Sequence, residues 1–337
     1  MTARDPVRLS EFDGSALQWD VMVAELGHPG SLLQSWAWGE VQSQSGWKVH
    51  RLVGGDQLAC ASMVLERRLR WGGGRMFYVP RGPATGEVGL QPVLDSVVAW
   101  AAARGAALVR CEPDLQAVDT PVLAPWRDGI AVQPQHTSIV ELADDDRLLG
   151  GFKPKTRYNI GLALRRGVSV RGGEPEELSW LCALTARRNA IALPRADHFQ
   201  RLLRAFGQRA SILVAEYASE PLAALLMVWF DSRAYYLFGG SSGNRRELMP
   251  AYLLHLEAMR LARSMGCLDY DLWGVPPDGQ ADHPWHGLWQ FKVGFNGRLV
   301  TYPPSRELCL RPTAWAADRA IGRLAGARRL MGHRSQS

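Results

Sequence analysis

Two stretches of this chain run through the same order of elements, and that doubling constrains the fold more than any other feature. The first reads RMFYVPRGPATGEVG, then PVLDSVVAWAAARG, then ALVRCEPD. The second reads AYYLFGGSSGNRRELM, then PAYLLHLEAMRLARSMG, then CLDYDLWGV. Each is a strand, a glycine-rich or polar loop, a proline-led helix with apolar residues at helical spacing, a closing glycine and another strand. Such a strand and helix must bury their apolar faces against further elements, so each copy predicts its own α/β layer.

The intervening segments supply those layers. Residues 32–44 read as a helix, WKVHRLV as an alternating strand, and QLACASMVLE as a strand after a Gly-Gly-Asp turn. In the second half SILVAEYA and AALLMVWFD read as two strands joined by a short turn. A chain of 337 residues is long for one core, and its 47% hydrophobic and 21% charged content is that of a globular protein. The expected class is α/β (α+β), with two tandem domains. The first covers 1–147 with 305–337 folded back onto it, and the second covers 148–304.

No apolar run reaches membrane-spanning length, and MTARDPVRLSEFDG has no apolar signal core, so a cytoplasmic location is expected. Five scattered cysteines without a CxxC pair read as core residues. His283 and His286 have ligand-like spacing without supporting cysteines or carboxylates, so no metal is expected. The net charge of +6 fits a polyanionic partner, and equally an arginine-rich composition from GC-rich coding, since 35 arginines stand against four lysines. The segment RPTAWAADRAIGRLAGARRLMGHR reads as a basic amphipathic helix, either solvated or touching RNA or a membrane surface. One of the rare lysines, Lys292, sits inside the apolar, strand-like GLWQFKVGFNG.

The strand–loop–helix–strand order resembles the GNAT acyltransferase fold, in which a helix N-terminus offers N–H groups to an anion. Its pyrophosphate loop runs roughly Arg/Gln-x-x-Gly-x-Gly/Ala. Here RRELMPA puts Met249 at the central glycine, where the backbone must approach closely, so neither coenzyme A nor another cofactor is expected.

LLQSWAWGEVQSQSGWKV, VPRGPA, KTRYNIGLALRRGVSV, GGSSGNRRELMPAYLLHLEAMRLARSMG, YDLWGV and GLWQFKVGFNG, in that order over 32–300, resemble the FemABX nonribosomal peptidyltransferases. The resemblance is to members without the long helical arm. It implies two fused GNAT-like units. It also implies transfer of an amino acid from aminoacyl-tRNA to the side-chain amine of a peptidoglycan precursor, with peripheral contact at the inner membrane face. Ester aminolysis builds negative charge on the carbonyl oxygen, and a fixed cation beside that oxygen helps most. The resemblance gives this role to Lys292, facing a cleft between the halves. Glu112, in RCEPD, either accepts the proton of the attacking ammonium or holds the amine. Asp271, in YDLWG, is a second acid, read as structural.

Arg195 is expected on the substrate's phosphates, with Phe199 as its aromatic partner where the family often has tyrosine. Gln42 stands where the family commonly has a phosphate-binding lysine, which leaves Lys48 or Arg81 to that task. Tyr236 and Phe238 either line the substrate channel or belong to the core. Lys153, Lys155 and Arg157, with Arg165, Arg166 and Arg171, form a basic stretch suited to the acceptor phosphates of tRNA, or a solvated helix face. Tyr158 and Asn159 are expected to pack and cap that helix. Two rival readings remain: an N-acyltransferase using acyl-coenzyme A, and a non-enzymatic RNA- or membrane-binding module.

Overall fold

The structure, a computed structural model, describes residues 7–27, 30–55, 59–69, 74–114, 125–189, 194–276, 286–313 and 316. The chain divides into two compact units, Met1–Gln133 with Tyr302–Ser337, and Pro134–Thr301. In unit one the chain forms β1 (Leu9–Glu11), α1 (Ala16–Gly27), α2 (Trp36–Ser43), β2 (Lys48–Gly54), β3 (Cys60–Arg68), β4 (Arg75–Pro80), α3 (Leu90–Ala102), β5 (Ala106–Glu112) and β6 (Arg127–Asp128). Unit two begins with β7 (His136–Glu141), α4 (Asp145–Gly151), α5 (Pro154–Arg165), β8 (Ser169–Gly172), α6 (Pro175–Asn189) and α7 (Ala196–Phe206). It continues through β9 (Ala210–Tyr217), β10 (Glu220–Phe230), β11 (Arg233–Ser241), α8 (Pro250–Ser264), β12 (Asp269–Gly274), α9 (His286–Val293) and β13 (Arg298–Thr301). The chain then returns to unit one with β14 (Arg306–Cys309).

Among the described residues the two sheets have matching orders, β1-β2-β3-β4-β5-β14-β6 and β8-β9-β10-β11-β12-β7-β13. In each, an antiparallel meander leads through a helix to a parallel neighbour, β4 beside β5 and β11 beside β12. The repeat read from the sequence is therefore a repeat of topology. The strand flanking each parallel pair is antiparallel to it and comes from outside the meander, β14 after it and β7 before it. The sequence reading divided the domains at 147/148. The second sheet begins earlier, because β7 hydrogen-bonds to both β12 and β13.

Burial explains the patterning. β10 is buried along most of its length, so it reads as an unbroken apolar run without alternation. α7 buries Phe199, Leu202 and Phe206, one stripe of a helix. The helix expected over 32–44 is split, because the Ser35 side chain caps α2 by accepting from the Trp38 N–H at 3.2 Å. In unit one Leu52, Phe77 and Val79 pack against Leu94, Val97 and Trp100 of α3. In unit two Leu225 and Met227 of β10 pack with Leu253, Leu256 and Met259 of α8. Gly240 on β11 lets α6 approach, since a Cβ there would stand 2.4 Å from the backbone of Leu181 and Cys182. All five cysteines are free, four of them buried.

Lys292 lies on a helix, α9, and the strand reading of GLWQFKVGFNG is corrected. Phe291, Val293 and Phe295 alternate as in a strand, yet Phe291 and Phe295 also stand one helical turn apart and pack edge to face at 5.4 Å. The C-terminal basic segment lies outside the described residues apart from 311–313 and 316.

Candidate active site

In unit two, the last turn of α9 carries Lys292 into the protein, where it is 4% exposed. Its ammonium donates to the Gly274 carbonyl at 2.7 Å and lies 5.2 Å from the centre of the Tyr236 ring. Burial lowers its pKa to about 7, against the opposing pull of Asp271. Asp271 is itself buried on β12, and desolvation raises its pKa. Its carboxylate accepts from the Trp273 N–H at 2.7 Å and from the Thr137 hydroxyl.

Aromatic rings close the other side. His255 on α8 stands edge-on to Tyr236 at 4.6 Å and also packs on Phe291 and Phe295. It is neutral at physiological pH, because burial, with the Lys292 charge beside it, lowers its pKa to about 3. Its Nδ1 pairs with the Tyr270 hydroxyl at 3.2 Å. Burial pushes the Tyr236 phenol up, so it stays protonated. A lone ammonium among neutral rings and one carboxylate can stabilise an oxyanion far better than a solvated one. His255 went unnoticed in the sequence, where LLHLEAM looks like an ordinary helix core.

Glu112 ends β5 in unit one and is buried. One carboxylate oxygen accepts from the N–H groups of Val132 and Gln133 at 2.7 and 3.2 Å, and the other from the Tyr78 hydroxyl. Tyr78, also missed, has its pKa raised well above the ordinary value by burial and by Glu112. Both oxygens of Glu112 are thus held by donors within unit one, which fixes where the carboxylate points. Arg81 follows β4 in a left-handed conformation (φ 45°), and its guanidinium lies 3.6 Å over the Tyr302 ring. Arg81 lines a small cavity with Gln34, Ser31 and Asp114. The amide of Gln34 bridges the Pro80 carbonyl and the Met63 N–H at 2.6 and 2.7 Å, which fixes the turn carrying Arg81. Gln42 is half-buried near the end of α2, where its backbone carbonyl accepts from Ser45 and Trp47.

Arg195 is exposed at the N-cap of α7. Phe199 is 0% exposed, so it has no surface for stacking on a ligand. Its ring backs Phe238 at 5.4 Å, and it is the half-buried Phe238 and His198 that reach the surface there. Lys153, Lys155 and Arg157 are exposed on α5 or its N-cap, although Arg157 is tied to the Gly150 and Phe152 carbonyls. Arg171 is occupied by ion pairs to Glu177 and Glu216, both at 2.7 Å. Tyr158 does not pack against the helix's neighbours as expected; it is 61% exposed beside the basic residues, because the packed face of α5 is Thr156, Asn159, Ile160 and Ala163.

Met249 caps α8 at φ 54°, a left-handed position that glycine would occupy without strain. Among the described residues no cluster of His, Cys, Asp or Glu could hold a metal ion, and His283 lies outside them. Among the described residues no helix is long and apolar enough to cross a membrane.

Comparison with known proteins places this geometry among relatives. The FemAB family model matches residues 23–120, 127–220 and 216–322. A lipid II:glycine glycyltransferase of Staphylococcus aureus is 24% identical over 358 residues, covering 79% of this chain and 85% of that protein. The crystal structure of FemX superposes with a TM-score of 0.80 at 20% identity, over 91% of this chain and 99% of that one. A tandem GNAT protein from the clavulanic acid biosynthesis pathway aligns with a TM-score of 0.51 at 9% identity, over 90% and 98% of the two chains. The fold is thus two GNAT-like α/β units in tandem.

Proposed function

This chain belongs to the FemAB family, and from that premise we propose that it transfers an amino acid to a peptidoglycan precursor, taking it from aminoacyl-tRNA. The acceptor is the side-chain amine of the stem peptide. That amine, neutral when it attacks, adds to the ester carbonyl. A C–N bond forms, the bond between the carbonyl carbon and the ribose oxygen breaks, and the proton lost by nitrogen ends on that leaving ribose oxygen. Lys292 supplies positive charge to the carbonyl oxygen, or to the leaving oxygen, as charge develops. Glu112, Arg81 and Gln42 of unit one are assigned to acceptor binding, and Arg195, Tyr236 and Phe238 of unit two to substrate contacts. The observation that carries the reading is the buried Lys292 ammonium, held by one carbonyl and balanced by one buried carboxylate.

The test is a transfer assay with tRNA charged with labelled glycine, alanine or serine, against nucleotide-linked and lipid-linked pentapeptide precursors. Label appearing in either precursor is the expected result. Acylation from a coenzyme A thioester alone, with none from charged tRNA, would overturn the reading.

The tRNA side follows α5, where Lys153 and Lys155 are exposed and Tyr158 offers a ring for stacking. Reversing both lysine charges to glutamate is expected to raise KM for aminoacyl-tRNA with kcat unchanged. The slope of log affinity against log salt should fall by roughly one to two units. An unchanged slope would take α5 out of the tRNA path.

A further inference from the structure

β12 does not end as a regular strand. Against β7, Asp271 pairs with Ile139 and Gly274 pairs with Thr137, so β12 carries one extra residue there. Trp273 adopts φ 57° within this bulge, a strained position for a bulky side chain. Asp271 holds it from inside: its carboxylate accepts the Trp273 N–H at 2.7 Å and the hydroxyl of Thr137. Thr137 also lies 3.0 Å from the Trp273 carbonyl, so it braces both sides of the bulge. The product of the bulge is the direction of the Gly274 carbonyl, which accepts from Lys292 at 2.7 Å.

We propose that Asp271 is a positioning residue for the transfer: it aims the Gly274 carbonyl at Lys292 through the bulge, and its carboxylate is the counter-charge that keeps the buried amine an ammonium. This rests on the transfer reading for its purpose, though not for its geometry. Among the described residues, the groups around Lys292 leave no other candidate for the counter-charge. His255 from α8 is neutral, and Tyr236 from β11 and Tyr270 from β12 are phenols whose pKa burial raises. Arg233 on β11 is positive, and it bonds Asp269 at 2.9 Å while its field also reaches Asp271. Among the described residues, Asp271 is the carboxylate whose field acts on this lysine.

The chain's four lysines make the test direct. In protein labelled at lysine, NMR titration should show one amine with a midpoint near 7, and that signal should vanish in Lys292→Met. Asp271→Asn keeps an oxygen able to accept from Trp273 and removes the charge. Its low midpoint should fall by about one unit or more, as expected when an opposite charge is withdrawn. The alkaline limb of kcat should move down with it, while KM for the precursor stays in place. A residue that merely braced the fold would leave both midpoints where they were. Thr137→Val keeps the carboxylate and should shift the midpoint in the same direction by less, and it serves as the test if Asp271→Asn does not fold. An unchanged midpoint in folded variants would overturn the proposal. A shifted midpoint in a protein that transfers nothing would uphold the pairing and remove the transfer reading.

Discussion

Replacing Lys292 by methionine is expected to lower kcat for transfer by roughly a hundredfold, the scale of losing one oxyanion donor, while removing the rise of stability with pH that this buried amine imposes. The two effects have one cause. The unfolded chain keeps this lysine protonated up to about 10.5, the folded one only up to about 7. Between those values the unfolded state binds more protons, so stability rises with pH. Below about 7 both states are charged and the whole cost of a buried ammonium is present; above about 10.5 neither is charged and that cost is gone. The wild type should therefore gain on Lys292→Met at up to about 1 kcal/mol per pH unit across that window. Urea unfolding of both proteins at a series of pH values measures the difference, which cancels the titrating groups that do not feel Lys292, while Asp271 and His255 do. A stability difference that stays flat across that window would show that the fold does not lower the proton affinity of Lys292.

Arg110→Leu should destabilise unit one by about 3–5 kcal/mol, because it strands a buried carboxylate. Arg110 on β5 and Glu307 on β14 stand opposite each other in the sheet and are both buried. The guanidinium donates to one Glu307 oxygen through Nε at 2.8 Å and through Nη2, and the Ile130 N–H reaches the same oxygen at 3.2 Å. Substituting both residues by apolar ones of similar volume removes the charge along with its partner. That double variant should recover most of the loss, as buried pairs commonly do when replaced together. Chemical denaturation of the two variants decides it, and a small loss in Arg110→Leu would mean that water reaches Glu307.

The parts of this molecule legible from its sequence are those with strong periodicity. The helices α3 and α8 and the apolar β10 could be read from spacing, because long periodic segments leave little choice, although α3 starts two residues before the proline expected to lead it. α9 could not. Its aromatic residues satisfy two periods at once, and tertiary packing of Phe291 and Phe295 chose the helix. For the site, Lys292 stood out because lysine is rare here and its neighbours are apolar. His255 and Tyr78 stayed hidden because a buried histidine or tyrosine looks like core until its partner from another element is known. Tyr158 and Phe199 exchanged expected roles for a similar reason, since which face of a helix is covered depends on what packs there.

The return of β14 to the first sheet has a consequence for how this protein comes off the ribosome. Its bond from Glu307 to Arg110 joins positions 197 residues apart in sequence. Unit two is one uninterrupted segment, Pro134–Thr301, whereas unit one must wait for Tyr302 onward. The half that is synthesised first is thus the last to have all its strands. During that wait the edge of β5 has no partner on its β14 side, and pairing across so long a loop is slow to form. The nascent chain stays vulnerable to misassembly until the segment from Tyr302 onward emerges and closes the first domain.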